Sequence, residues 1–104
     1  LFVVIFRARI KQLDEEYSTT AARLRELALT EFGCVEFYSV SEGPEEVTLS
    51  YWPTEEHIRL WKSHPEHSAA QKLGAEKWYE SYSVQIAEIK REYARLANHQ
   101  GNFI

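Results

Sequence analysis

His67, Gln71, Gly74 and Trp78 are spaced four, three and four residues apart, so on a helix they share one stripe. That stripe offers an imidazole, a carboxamide, a bare backbone and an indole, the composition of a pocket wall. It is equally the composition of a packed face in which Trp78 is core, Gly74 admits a close helix–sheet contact, and His67 and Gln71 sit at the boundary. Trp61 lies near the end of a short preceding helix on the same side as Ile58, and from there it would line the same cavity. With Trp52, Tyr79 and Tyr82 nearby in sequence, the aromatic density suits stacking against a planar aromatic ligand. If the chain is an enzyme, His67 is the candidate base, because imidazole ordinarily titrates near working pH, and Gln71 would hydrogen-bond a developing oxyanion.

Other chemistries find little support. His57, His64 and His67 lie close together in sequence, but Pro65 separates the last two and Cys34 is remote. Zinc sites normally pair their ligands more tightly, so no metal is expected. The chain has no glycine-rich phosphate loop, no G-x-S-x-G elbow and no HExxH helix. Cys34 follows a helix end where the dipole is negative, which disfavours a thiolate, and as the single cysteine it excludes a disulfide within the chain. Arg7 and Arg9 would be the only cations near one sheet face, either meeting a ligand or pairing with carboxylates such as Glu36. A net charge of -4 with no Lys/Arg run speaks against nucleic acid. The longest apolar run, Leu1 to Phe6, is too short to span a bilayer. With no basic n-region or A-x-A site after it, the expectation is a soluble, cytoplasmic protein.

The elements that would position these residues follow from periodicity. Residues 2–11 alternate as a strand. Asp14 followed by Glu15 and Glu16 starts a helix, its inward residues being Tyr17, Ala21, Leu24, Ala28 and Phe32, and Gly33 stops it. Residues 35–40 and 47–52 form a hairpin around the turn-rich 41–45. Thr54 caps a helix over 55–62, Pro65 opens another running to about Tyr79, and 81–91 is a fourth strand. The order β-α-β-β-α-β is the α+β, ferredoxin-like arrangement with an antiparallel sheet.

Helices on one face should leave the other face polar. Val3, Ile5, Phe37, Trp52, Ala87 and Ile89 nevertheless sit opposite their strands' other apolar sets, so both faces seek burial and a homodimer through the sheet face is expected. The domain is expected to occupy 1–93, with a C-terminal tail, 94–104, as a short helix, an arm clasping the partner or a frayed end.

The stretch from Ser50 to Tyr93 resembles the antibiotic biosynthesis monooxygenase (ABM) domain family. The likeness lies in its aromatic third strand, the Trp61 helix, the H-x-x-H-x-x-A-Q segment from His64 to Gln71 and the Y-x-x-Q-I-A-E-I-x-R-E-Y close. The resemblance implies a dimeric α+β barrel with a cavity between sheet and helices. It also implies a candidate cofactor-independent oxygenase, with Trp61 matching the tryptophan such members use in the cavity. If the chain is such an enzyme, the expected reaction is oxygenation of a small phenolic or quinol-like aromatic by O2 without a cofactor, Trp61 and His67 being catalytic and His64, Gln71, Trp78, Tyr82 and Gln85 binding substrate. The alternative is a non-catalytic dimeric small-molecule binder or stress-associated protein. The haem-degrading branch of the superfamily places a ligating histidine where Gln71 stands and an asparagine on the first strand, and this chain has neither. Gln85 stands where relatives commonly carry arginine.

Overall fold

A run of alternating apolar residues with β-branched character becomes a central strand when both of its edges find partners, and the first ten residues do so. In a computed structural model that describes residues 1–96, the elements are β1 (Phe2–Ile10), α1 (Glu15–Thr30), β2 (Glu36–Glu42), β3 (Glu45–Trp52), α2 (Glu55–Lys62), α3 (Pro65–Leu73), a π-helical turn (Gly74–Trp78) and β4 (Tyr79–Glu88). The sheet is antiparallel in the order β2-β3-β1-β4, the ferredoxin-like topology expected from the sequence.

Each helix begins where a side chain can satisfy its free amides. Asp14 Oδ1 accepts from the Tyr17 amide at 2.8 Å, and the Thr54 hydroxyl accepts from the His57 amide. His64 Nδ1 accepts from the Glu66 amide, one residue after Pro65 at the first helical position. Gly33 ends α1 with φ +80°, and a Cβ there would stand 2.9 Å from the His57 ring, so both conformation and space require glycine.

Three boundaries differ from expectation. The hairpin turn is only Gly43-Pro44, since Glu42 pairs directly with Glu45 and Gly43 takes φ +57°. A glycine in the first of two turn positions suits the twist of a tight hairpin. The third helix does not continue to Tyr79 as α-helix. Its last turn widens, the Tyr79 amide donating to Gly74 O, and the chain then enters β4 at Tyr79 rather than at residue 81. β4 ends at Glu88, not at residue 91, because β1 supplies no partner beyond Phe2; only the Ile89 amide still bonds back, to Leu1 O at 2.9 Å. Residues 89–96 have no regular structure. The expected tail falls mostly on 97–104, outside the described residues.

Register also corrects the assignment of faces. Phe37 pairs with Ser50 and Ser50 with Val4, while Trp52 pairs with Phe2, which puts Phe37 and Trp52 on the helix side with Val4 and Phe2. There Val4, Ala28, Cys34, Trp52, Ile58 and Trp61 form the core, with Phe2, Phe32 and Phe37 against it. Opposite them, the outer face carries Val3, Ile5, Val47, Leu49 and Tyr51 on the central strands and Tyr38 and Val40 on the β2 edge, the last two 52% and 47% exposed. The face remains apolar, through a different set of residues. Arg9 lies at one end of it and pairs with Glu45 at 2.7 Å and Glu80 at 3.1 Å rather than with Glu36.

Candidate functional site

Between the helix side of the sheet and α1 and α3 lies a cavity of about 560 Å³. Its size and mostly apolar wall are those of a small-molecule site. Trp61, His67, Gln71, Gly74, Trp78 and Tyr82 all line it. The π-helical turn changes the helical spacing, yet Gly74 and Trp78 stay on the wall that His67 and Gln71 begin. His64 and Gln85 are not part of that wall. His64 is spent capping α3 and packs edge-on against Phe32. Gln85 pairs with Ile5 and so belongs to the outer face of the sheet, its neighbour Val84 facing the cavity instead.

One end of the cavity is formed by Trp61 and His67, whose rings meet edge to face with centroids 4.3 Å apart. Trp61 also packs on Trp52 at 5.1 Å and on Phe37 at 6.1 Å. Trp61 Nε1 and His67 Nδ1 are both buried without a hydrogen-bond partner among the described residues. Buried polar atoms are rarely left unpaired, and an oxygen-bearing ligand could satisfy both. Burial first, and then the charges of Lys62 and His64, depress the His67 pKa to about 4. His67 is therefore neutral at working pH, which corrects the expectation of an imidazole titrating there. It can accept a hydrogen bond and is a weak base.

The other end is built around Glu46, which sequence reasoning passed over. Glu46 is only 4% exposed. The Tyr17 hydroxyl donates to it at 2.5 Å, the Thr48 hydroxyl at 3.3 Å, and the Tyr79 hydroxyl lies 3.4 and 3.5 Å from its two oxygens. Burial and the adjacent carboxylate raise the Tyr17 hydroxyl to about 12 and push Tyr79 upward as well, so both phenols remain protonated donors. Asp14 holds this end together by accepting from the Trp78 indole at 3.0 Å while it caps α1. Its bond to Lys77, first, and that to the Tyr17 amide lower the Asp14 pKa. Gly74 lets the Tyr79 ring approach closely here, since a Cβ would stand 3.0 Å from it. The available sequence signal was the alternation Glu46, Thr48, Ser50 along β3, which reads as a solvated face until register turns it inward.

Cys34 is buried, its thiol raised chiefly by desolvation and directed to Glu36 O. No group of three metal-binding side chains occurs among the described residues, and His57, hydrogen-bonded to Thr54, lies apart from His67. No described helix is long and apolar enough to cross a membrane.

This four-stranded ferredoxin-like sheet with its helices on one face is the fold of solved antibiotic biosynthesis monooxygenase proteins. SnoaB, a cofactor-independent oxygenase from Streptomyces nogalater, superposes with a TM-score of 0.73 at 12% identity, over 88% of this chain and 94% of its own. A candidate antibiotic biosynthesis monooxygenase from Nitrosomonas europaea gives 0.73 at 16% identity, over 88% and 100%. A dimeric ferredoxin-like protein of unknown function from Bacteroides fragilis gives 0.59 at 19%, over 85% and 95%. In sequence, the uncharacterized protein YqjZ of Bacillus subtilis (strain 168) is 37% identical over 92 residues, which are 88% of this chain and 81% of YqjZ. The chain belongs to one family with YqjZ. No family profile matches it.

Proposed function

We propose that this protein is a cofactor-independent monooxygenase that oxidises a small phenolic or quinol-like aromatic with O2. The observation behind this reading is the pair of unpartnered polar atoms, Trp61 Nε1 and His67 Nδ1, buried in the wall of an aromatic cavity. The substrate ring lies in the cavity between the Trp61 end and the Trp78 end, with Tyr82 in the wall. Its hydroxyl donates to neutral His67, which takes the proton as electrons pass from the ring to O2. One oxygen atom enters the ring, and the other leaves as water with two hydrogens of the substrate. The indole N–H of Trp61 and the carboxamide of Gln71 stabilise the negative charge that develops on oxygen. The oxygenase name of SnoaB, which shares the fold, supports the reaction class.

Oxygen uptake with a panel of hydroquinones and naphthoquinols tests this. The expected result is uptake that depends on intact protein and falls about a hundredfold in Trp61→Phe and in His67→Phe. Undiminished uptake in both variants would remove the assignment. The low basicity of His67 favours the second reading, a non-catalytic binder of the same aromatic ligand, in which ligand binds and no oxygen is consumed.

We further propose that the protein works as a cytoplasmic homodimer joined through the outer sheet face, with the domain ending near residue 93. Val3, Ile5, Leu49, Tyr38 and Val40 make that face apolar across three strands, and the Bacteroides fragilis protein of this fold is dimeric. Native mass spectrometry is expected to give twice 12.2 kDa, with Leu49→Glu shifting the protein to monomer. A monomeric parent protein would refute it.

A further inference from the structure

Glu46 poses a problem that the oxygen-recognising end of the cavity does not answer. A carboxylate 4% exposed is costly to bury unless a counter-charge compensates it. No ion pair joins Glu46 to a Lys, Arg or His side chain among the described residues. Nearby cations are committed elsewhere: Lys77 to Asp14 and Glu16, Arg9 to Glu45 and Glu80 on the other sheet face. Arg25 and Lys62 also line the cavity, but Lys62 acts on His67 and neither pairs with Glu46. The partners of Glu46 are hydroxyl donors only.

The rings around it form a chain. Trp78 meets Tyr17 edge-on at 5.3 Å, Tyr17 lies 6.3 Å from Tyr79, and Phe6 is 5.3 Å from Tyr79 and 5.8 Å from Tyr82. All five residues line the cavity, as does Glu46. Aromatic faces beside a buried carboxylate are the recognition chemistry of an organic cation, and a protein of net charge -4 attracts one. We propose that the Glu46 end of the cavity binds a primary ammonium group, so that the ligand is a small aromatic amine with its ammonium at Glu46 and its hydroxyl at Trp61 and His67. The proposal rests on the cavity being a ligand site, as in the functional reading above, though not on oxygen chemistry.

Tyramine and tyrosol, which differ in an ammonium against a hydroxyl on the same skeleton, are the probes. Titration by calorimetry at low salt is expected to show tyramine bound at least tenfold more tightly. Glu46→Gln, nearly isosteric and still able to accept from Tyr17, should bring the two affinities within about twofold, with the fold checked by circular dichroism. Glu46→Asp, which keeps the charge but withdraws it by one methylene, should retain a reduced preference and guards against a misfolded Gln variant. Equal affinities for the intact protein, or a preference that survives in Glu46→Gln, would overturn the ammonium site while leaving the aromatic cavity standing. Binding of neither probe would overturn it too, with oxygen uptake on quinols still judging the oxygenase reading separately.

Discussion

Trp52→Ala is expected to lower the unfolding free energy by about 3–5 kcal/mol, the scale for truncating a fully buried large aromatic. The Trp52 side chain is completely buried, packs on Trp61 at 5.1 Å and donates from Nε1 to Ser50 Oγ at 2.9 Å. Truncation empties the centre of the core and also strands the hydroxyl of Ser50, itself 2% exposed. Against a total stability of about 5–15 kcal/mol for a domain of this kind, that loss should be visible as a large fall in the urea midpoint, with Trp52→Phe intermediate. A loss below about 1 kcal/mol would contradict the placement of this indole at the meeting point of sheet and helices. Trp61 shares that core and is 6% exposed, which is why its proposed role is tested with phenylalanine rather than alanine.

Acid is expected to destabilise the protein through His67. The unfolded chain takes up a proton near the ordinary value of 6.5, while the folded imidazole remains neutral until about 4. Between those values the unfolded state binds more protons, so stability falls as pH falls. The stability is fully present above 6.5, declines through the window, and is lost below about 4, a total of about 3 kcal/mol for a displacement of this size. Urea titrations of the parent and of His67→Gln at pH 7, 5.5 and 4.5 isolate this contribution, since the carboxylates are common to both. The difference between the two proteins should change by about 2 kcal/mol or more across the series; a constant difference would mean that His67 is not buried away from charge. Within the same reading, a ligand hydroxyl that donates to His67 should bind with little pH dependence between 5.5 and 8.

The fold was legible because its signals are local. Alternation in residues 2–10, the Asp14 and Thr54 caps, Pro65 at a helix start and Gly33 at a helix end each report on backbone geometry within a few residues. The likeness to the ABM family agrees with the element order and sheet topology that these signals produce. One stripe of the cavity wall was legible for the same reason: His67, Gln71, Gly74 and Trp78 share a helical face, and Trp61 lies on the inward side of α2 with Ile58, whereas the walls from α1 and β3 were not.

What the sequence could not decide was which side of each strand faces which partner. Phe37 and Trp52 belong inside because Ser50 and Phe2 stand opposite them in the ladder, and a pairing register is a relation between distant segments. By the same rule Gln85 lies outside and Val84 inside. Glu46, Thr48 and Ser50 alternate along β3 and point under the helices, where Tyr17 from α1 and Tyr79 from β4 bring their hydroxyls to the carboxylate. Charge state followed the same division. The presence of His67 is a fact of sequence, but its neutrality comes from the packing around it. Composition and local periodicity determined the elements and their order, whereas the inward carboxylate and the low basicity of the imidazole arose only when tertiary packing removed water from both ends of one cavity.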